Sequence, residues 1–317
     1  MLESAANDST RVRRSRDASI FQASERIATR RKPSHALRVQ APEPADAARS
    51  YLDLPSGRLA YTDEGEGVPV VCLHGLISGA GDFSALRQAL LRSGMRCILV
   101  DLPGYGGSSP PAVARIEHIA DIVGQGIAAL GLKRPVLVGH SFGAVIAYTL
   151  AGRKPELVDR LFLIASPGFQ IHRSLRRSGW LLEIARLGHL PGMLPVIGRI
   201  LAEGFRRVGF QPQLASSTTI AALDVLRNFD FGIQARTWAE IDTPTGVAFA
   251  LDDPIIENEI QQSFSRRVSP GPRLVFPNGG HSVHRAHASE IAVAIADWTK
   301  SAHSAPNGVV AGPQVSA

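Results

Sequence analysis

Cysteine is scarce in this 317-residue chain: only Cys72 and Cys97 occur. Both sit in short apolar runs of strand type, so buried free thiols are expected and a disulfide framework is not. No apolar run reaches the ~18 residues needed to span a bilayer. Met1 to Gln40 is polar and Arg-rich, without the apolar stretch of a secretory signal. A cytoplasmic location is the expectation. Basic excess is small, a formal net charge of +6, and unevenly placed. Residues 1–50 hold 10 Lys+Arg against 6 Asp+Glu, and the rest of the chain holds 24 against 22. No domain-wide basic face with interleaved aromatics is present, so no nucleic-acid partner is expected. Metal-ligand spacing is also missing. His281-x-x-His284-x-x-His287 spreads its side chains around a helix start, with no cysteine or acidic framework nearby. Gly104-x-Gly106-Gly107 follows a strand but lacks the G-x-G-x-x-G spacing of a nucleotide loop. Neither metal nor cofactor is expected, and no internal repeat is visible.

What is present is a chain rich enough in apolar residues (44%, with 20% charged) for one large α/β domain, with or without an insertion. Residues 1–47 read as a disordered basic tail, since Ser, Ala, Arg and Pro dominate without apolar periodicity. An Arg- and Ser-rich transit peptide is the competing reading, and six acidic residues count against it. From residue 48 the pattern changes. Ser50-Leu54 and Arg58-Tyr61 flank the turn Pro55-Ser56-Gly57 and predict a β-hairpin. Val68-Leu73, Arg96-Val100, Pro135-Val138 and Arg160-Ala165 are apolar runs of buried-strand type. Helical spacing over Asp82-Arg92, Ile116-Leu130 and the segment after Ser141 separates them. This rhythm implies right-handed crossovers and a mostly parallel sheet with helices on both faces.

The alternation stops at Ser166-Pro167-Gly168. Residues 168–236 predict a helical insertion, with short helices at Trp180-Leu187, Met193-Leu201 and Thr218-Asn228. Strands resume at Thr245-Leu251 and Arg273-Phe276, and Glu290-Lys300 reads as the final helix. Residues 301–317 are Gly/Pro/Ser-rich and read as a flexible tail.

The most informative stretch joins a strand to a helix: Val136-Leu137-Val138-Gly139-His140-Ser141-Phe142-Gly143-Ala144. A turn this sharp crowds its two arms, so small residues are required at Gly139, Gly143 and Ala144. In that setting G-x-S-x-G predicts a nucleophilic serine; without it the five letters are a weak pattern. Ligands of such sheets bind beyond the carboxyl ends of the strands. His74, Asp101 and Ser141 all stand there.

Four matches in order make residues 50–300 resemble the α/β-hydrolase fold family. They are His74-Gly75, the Asp101-Leu102-Pro103-Gly104-x-Gly106-x-Ser108 run, Gly139-x-Ser141-x-Gly143, and Gly280-His281 before a terminal helix. The resemblance implies an eight-stranded, mostly parallel sheet. It has a core over 48–167 and 237–300, and a helical cap inserted after strand 6. It implies a catalytic triad with Ser141 as nucleophile, His281 as base and an acid in the Asp252-Asp253 pair. Asp253 is favoured because Pro254-Ile255-Ile256 follows it, and Asp252 reads as a loop residue. Backbone N–H groups of Leu76 and Phe142 would form the oxyanion hole, with His74 and Gly75 shaping its loop. Asp101 reads as a loop brace. His284 and His287 read as surface or supporting residues.

A serine at 141 argues against epoxide hydrolase and haloalkane dehalogenase chemistry, which the resemblance assigns to an aspartate there. The expected activity is hydrolysis of an ester-type acyl bond in a small, largely apolar substrate. The apolar preference rests on cap residues such as Trp180, Leu181, Ile197 and Phe205, which could equally pack the cap on itself. Thioesters and C–C bonds share the triad, and a non-catalytic ligand-binding member of the fold is the alternative of a different class. Membrane contact through Arg173, Arg176, Arg177, Arg206 and Arg207 of the cap is a lesser expectation than a solvated basic face.

Overall fold

The structure, a computed structural model, describes residues 49–76, 78–207, 216–239 and 241–303. The expected basic tail at 1–47 lies outside the described residues. Of the expected carboxyl tail, 301–303 continue the last helix and the remainder lies outside.

Eight strands form one sheet: β1 (Ser50–Leu54), β2 (Gly57–Glu64), β3 (Pro69–Leu73), β4 (Arg96–Val100), β5 (Val136–His140), β6 (Arg160–Ile164), β7 (Thr245–Ala250) and β8 (Arg273–Phe276). Their order is β1-β2-β4-β3-β5-β6-β7-β8. The hairpin β1–β2 and the β2–β4 pair are antiparallel, and every pair from β4 to β8 is parallel. The apolar runs behave as two-faced buried strands. In β3, Val71 and Leu73 enter one apolar cluster while Val70 and Cys72 enter the other. This is the period of two expected of a strand covered on both sides. Cys72 and Cys97 are buried free thiols on neighbouring strands.

Helices cover each face. On one side are α2 (Ile116–Ala129) and α3 (Phe142–Arg153), contributing Ile119, Val123, Val145 and Tyr148. On the other are α1 (Ser84–Arg92) and α10 (Ala288–His303), contributing Leu86, Leu90, Ile291 and Ile295. Each such fully buried side chain contributes about 1.5–3 kcal/mol. Two short helices complete this frame, α8 (Asn258–Arg267) and α9 (Val283–Ala286).

Between β6 and β7 the structure has four helices where three were predicted: α4 (Arg173–Leu187), α5 (Leu194–Arg207), α6 (Ser216–Arg227) and α7 (Phe231–Ala239). Helix α7 is ordered by its neighbours rather than by its own pattern. Its Trp238 packs edge-on against Tyr148 at 5.3 Å, and its Gln234 accepts a 3.1 Å hydrogen bond from the Thr149 hydroxyl. Leu181, Ala185, Ile197, Leu201, Phe205, Ile220 and Leu223 form a separate apolar cluster within the insertion. Much of its apolar content therefore packs on itself, which removes the sequence argument for an apolar substrate. No described helix is long and apolar enough to cross a membrane.

Candidate active site

Strand β5 pairs with β3 on one side and β6 on the other, which sets the ends of three strands side by side. Ser141 leaves β5 and opens α3 with φ 52° and ψ −112°, a left-handed conformation that costs a non-glycine residue about 1–3 kcal/mol. Its backbone is pinned by donation to Ile164 O (2.9 Å) and acceptance from Ala144 N (3.0 Å). The small residues are a steric necessity. A Cβ on Gly139 would lie 2.5 Å from Gly143 O, and one on Gly143 would lie 1.9 Å from Leu73 O.

His281 stands on the loop after β8, and Asp253 on the loop after β7. The His281 ring joins them to Ser141, with Nδ1 2.9 Å from Asp253 Oδ2 and Nε2 2.9 Å from Ser141 Oγ. An ionised carboxylate only accepts, so the Nδ1 proton donates to Asp253 and the Nε2 lone pair faces the serine hydroxyl. Asp253 is buried and fully partnered. Its Oδ1 accepts from the N–H groups of Ile255 (2.8 Å) and Ile256 (3.1 Å), and its Oδ2 also accepts from Gln261 Nε2 (3.1 Å). Burial alone would raise its carboxyl pKa. The charge and hydrogen bond of His281, with the two backbone donors, outweigh burial and hold it below the usual carboxylate value. A carboxylate kept ionised in this way can stabilise an imidazolium as it forms.

The third element of the site is the turn after β3. The buried His74 ring accepts from Leu102 N at Nε2 (3.0 Å), so its Nδ1 carries the proton donated to Gly75 O (2.8 Å). Burial lowers its pKa. The Tyr105 hydroxyl donates to Leu76 O at 2.5 Å. These bonds set the backbone of residues 74–76 beside the serine, where a Cβ on Gly75 would lie 3.6 Å from Ser141 Cβ. Among the described residues, no acceptor takes the N–H of Phe142 or Leu76. The Leu76 side chain also packs against both the main core and the insertion cluster. Asp101 braces the neighbouring loop, accepting from Ala80 N (3.2 Å) and Gly107 N (3.0 Å).

Residues 68–287 match the family defined by the alpha/beta hydrolase fold. The chain belongs to that family. It is 25% identical over 259 residues to (E)-2-((N-methylformamido)methylene)succinate hydrolase of Acinetobacter baylyi, covering 78% of this chain and 96% of that protein. It is 28% identical over 257 residues to 2-hydroxymuconate semialdehyde hydrolase of Pseudomonas putida, covering 73% and 86%. A thermophilic esterase from Thermogutta terrifontis superposes with a TM-score of 0.66 at 22% identity, over 81% of this chain and all of the esterase. The curated relatives are hydrolases, and the esterase likeness is one of fold.

Within this α/β hydrolase, two features escaped sequence reasoning. Asp252 is more than a loop residue: its carboxylate accepts from Gly279 N (3.3 Å) and Gly280 N (2.7 Å), tethering the loop that carries His281. Adjacent acids divide the work, one addressing the backbone of that loop and the other the ring. His284, expected as a surface or supporting residue, is completely buried, whereas His287 stacks on Phe276 at 4.0 Å. The D-D dipeptide was a legible signal for the first feature. Nothing local signals the second, because the group His284 faces, Asp82, is 202 positions earlier.

Proposed function

We propose that this α/β hydrolase is a serine hydrolase that cleaves an ester-type acyl bond through a covalent acyl-enzyme. The observation that carries the reading is the His281 ring, held 2.9 Å from both Ser141 Oγ and Asp253 Oδ2. Ser141 Oγ attacks the substrate carbonyl carbon while His281 Nε2 takes its proton. The N–H groups of Phe142 and Leu76 receive the oxyanion, a role in which each donor contributes roughly 3–4 kcal/mol. His281 then protonates the leaving alcohol. Water, deprotonated by the same nitrogen, releases the acid and restores Ser141. Asp253 keeps the ring in the required tautomer throughout.

The acyl group is small. What supports this is Leu76, which supplies one proposed donor and packs against both the main core and the insertion cluster. A C–C bond substrate is the second reading, favoured by the likeness to 2-hydroxymuconate semialdehyde hydrolase, which matches 73% of this chain. A panel of p-nitrophenyl esters of increasing acyl length, thioesters and β-diketones, each with a Ser141→Ala control, tests both. Fastest turnover of short-chain esters, abolished in the control, is the expected result. Turnover restricted to β-diketones would replace the ester reading with the second.

A further inference from the structure

Behind the serine lies a buried group of charged and polar side chains that the mechanism above does not use. His140, the residue before Ser141, places Nε2 2.9 Å from the backbone carbonyl oxygen of His281. A carbonyl only accepts, so Nε2 carries the proton and donates. The other ring nitrogen, Nδ1, has no hydrogen-bond partner and lies 3.6 Å from Asp82 Oδ2. His284 Nε2 is 3.4 Å from the same oxygen, and its ring lies 4.3 Å from that of His140. The second oxygen of Asp82 accepts from the Arg285 guanidinium. Phe83 closes the group, its ring 4.9 Å from that of His284.

We infer that His140 is a positioning residue for the proposed triad, gripping the His281 backbone from the elbow side, its ring packed against that of His284. The need for a grip lies in the loop. Gly279 and Gly280, both at positive φ (127° and 60°), leave the backbone before His281 with little intrinsic preference. Asp252 fixes the two glycine N–H groups and His140 fixes the His281 carbonyl, so the loop is tied at three consecutive residues. Gly75 makes room for the grip: a Cβ there would lie 3.1 Å from His140 Nδ1. Because the ring sits on the residue next to Ser141, the same bond sets nucleophile and base relative to each other. One donor atom each from Asp82, His140 and His284 lie within 4.8 Å of one another, a spacing a cation could also span. Arg285 already supplies the positive charge at Asp82.

The inference rests on the serine-hydrolase reading, and the test separates the two. The full chain is treated with a fluorophosphonate, and the labelling rate is followed for wild type, His140→Phe and His140→Gln, with ester kcat, KM and Tm for each. Phe keeps the ring volume without the donor; Gln places an N–H at about the reach of Nε2. In His140→Phe the labelling rate and kcat are expected to fall about 10- to 100-fold, the scale of a misplaced catalytic group. KM should stay within about twofold, and His140→Gln should recover most of the loss. Should His140→Phe fail to fold, His140→Leu removes the donor at smaller volume and is expected to slow labelling in the same sense. Labelling of His140→Phe or His140→Leu at the wild-type rate would overturn the inference. So would equal losses in the Phe and Gln variants, or stoichiometric zinc in the purified protein that is lost on His140 substitution. A wild-type chain that the probe does not label would instead remove the serine-hydrolase reading itself.

Discussion

The carboxyl edge of the sheet and the helical insertion above it are built on different terms. At the edge, each functional group is positioned by several independent restraints. Ser141 is held by two backbone bonds and by close contacts at Gly139 and Gly143, and Asp253 uses both carboxylate oxygens. The insertion has a modest core of its own, and it leaves Trp180, Leu190 and Val196 each about half exposed (50%, 53% and 51%). Some of its arginines answer to local acids, Arg186 to Glu183 and Arg206 and Arg207 to Glu203, whereas Arg173 and Arg176 reach Glu257 outside the insertion. The contrast teaches that the Ser141–His281–Asp253 geometry is over-determined, whereas the insertion carries fewer fixed constraints.

The largest effects should follow from breaking the edge. Ser141→Ala is expected to lower kcat by at least about a thousandfold, with the fold retained, the scale of loss when a triad nucleophile is removed. Asp253→Asn should cost nearly as much, about 10³- to 10⁴-fold, because the amide favours the wrong His281 tautomer. Steady-state kinetics check both, and a loss under tenfold in either would break the comparison at its strong side. Gly143→Ala tests the steric claim. A Cβ 1.9 Å from Leu73 O forces backbone movement, so a loss of about 3 kcal/mol or more is expected in urea denaturation.

Acidification acts on the buried groups before the surface. Burial, outweighing the neighbouring charges, presses His140 and His172 down to about 4, whereas an unfolded histidine titrates near 6.5. Between those values the unfolded chain binds more protons than the folded one, so stability falls as pH drops from about 6.5 to about 4. Asp82 and Asp253, held below the usual carboxylate value despite burial, extend the loss to lower pH. A urea midpoint lower at pH 5 than at pH 7, with a smaller drop in His172→Gln, is the expected result. An unchanged midpoint would contradict it. The smallest effects belong to the insertion surface. Trp180→Ala and Leu190→Ser should each change stability by less than about 0.5 kcal/mol. A loss several times larger would show that this face is more tightly packed than its exposure implies.

Legibility in the sequence follows the same division. The parallel strands were readable because a strand covered on both faces is apolar at every position, as in Val70-Leu73 and Val136-Val138. The elbow was readable because its geometry demands small residues at fixed spacing. Helix α7 was not, since nine residues containing Gly232 and Thr237 hold too little local preference, and Trp238 is ordered by Tyr148 of another helix. The tether at Asp252 was half visible: the acid pair stood out, but its bonds to Gly279 and Gly280 cross 27 and 28 positions. The His140–His284–Asp82 group was invisible, because its members look like ordinary polar residues until the fold brings α9 beside the segment before α1. The insertion was least readable, because its apolar residues pack on one another and leave no pattern to read.

The account stands most directly on a covalent bond at Ser141. Wild-type protein mixed with excess p-nitrophenyl acetate, quenched in acid and analysed as intact protein and peptides by mass spectrometry, should gain one acetyl group on the peptide carrying Ser141, with none in Ser141→Ala. Turnover of the ester with no adduct, or with the adduct on another residue and undiminished turnover in Ser141→Ala, would contradict it.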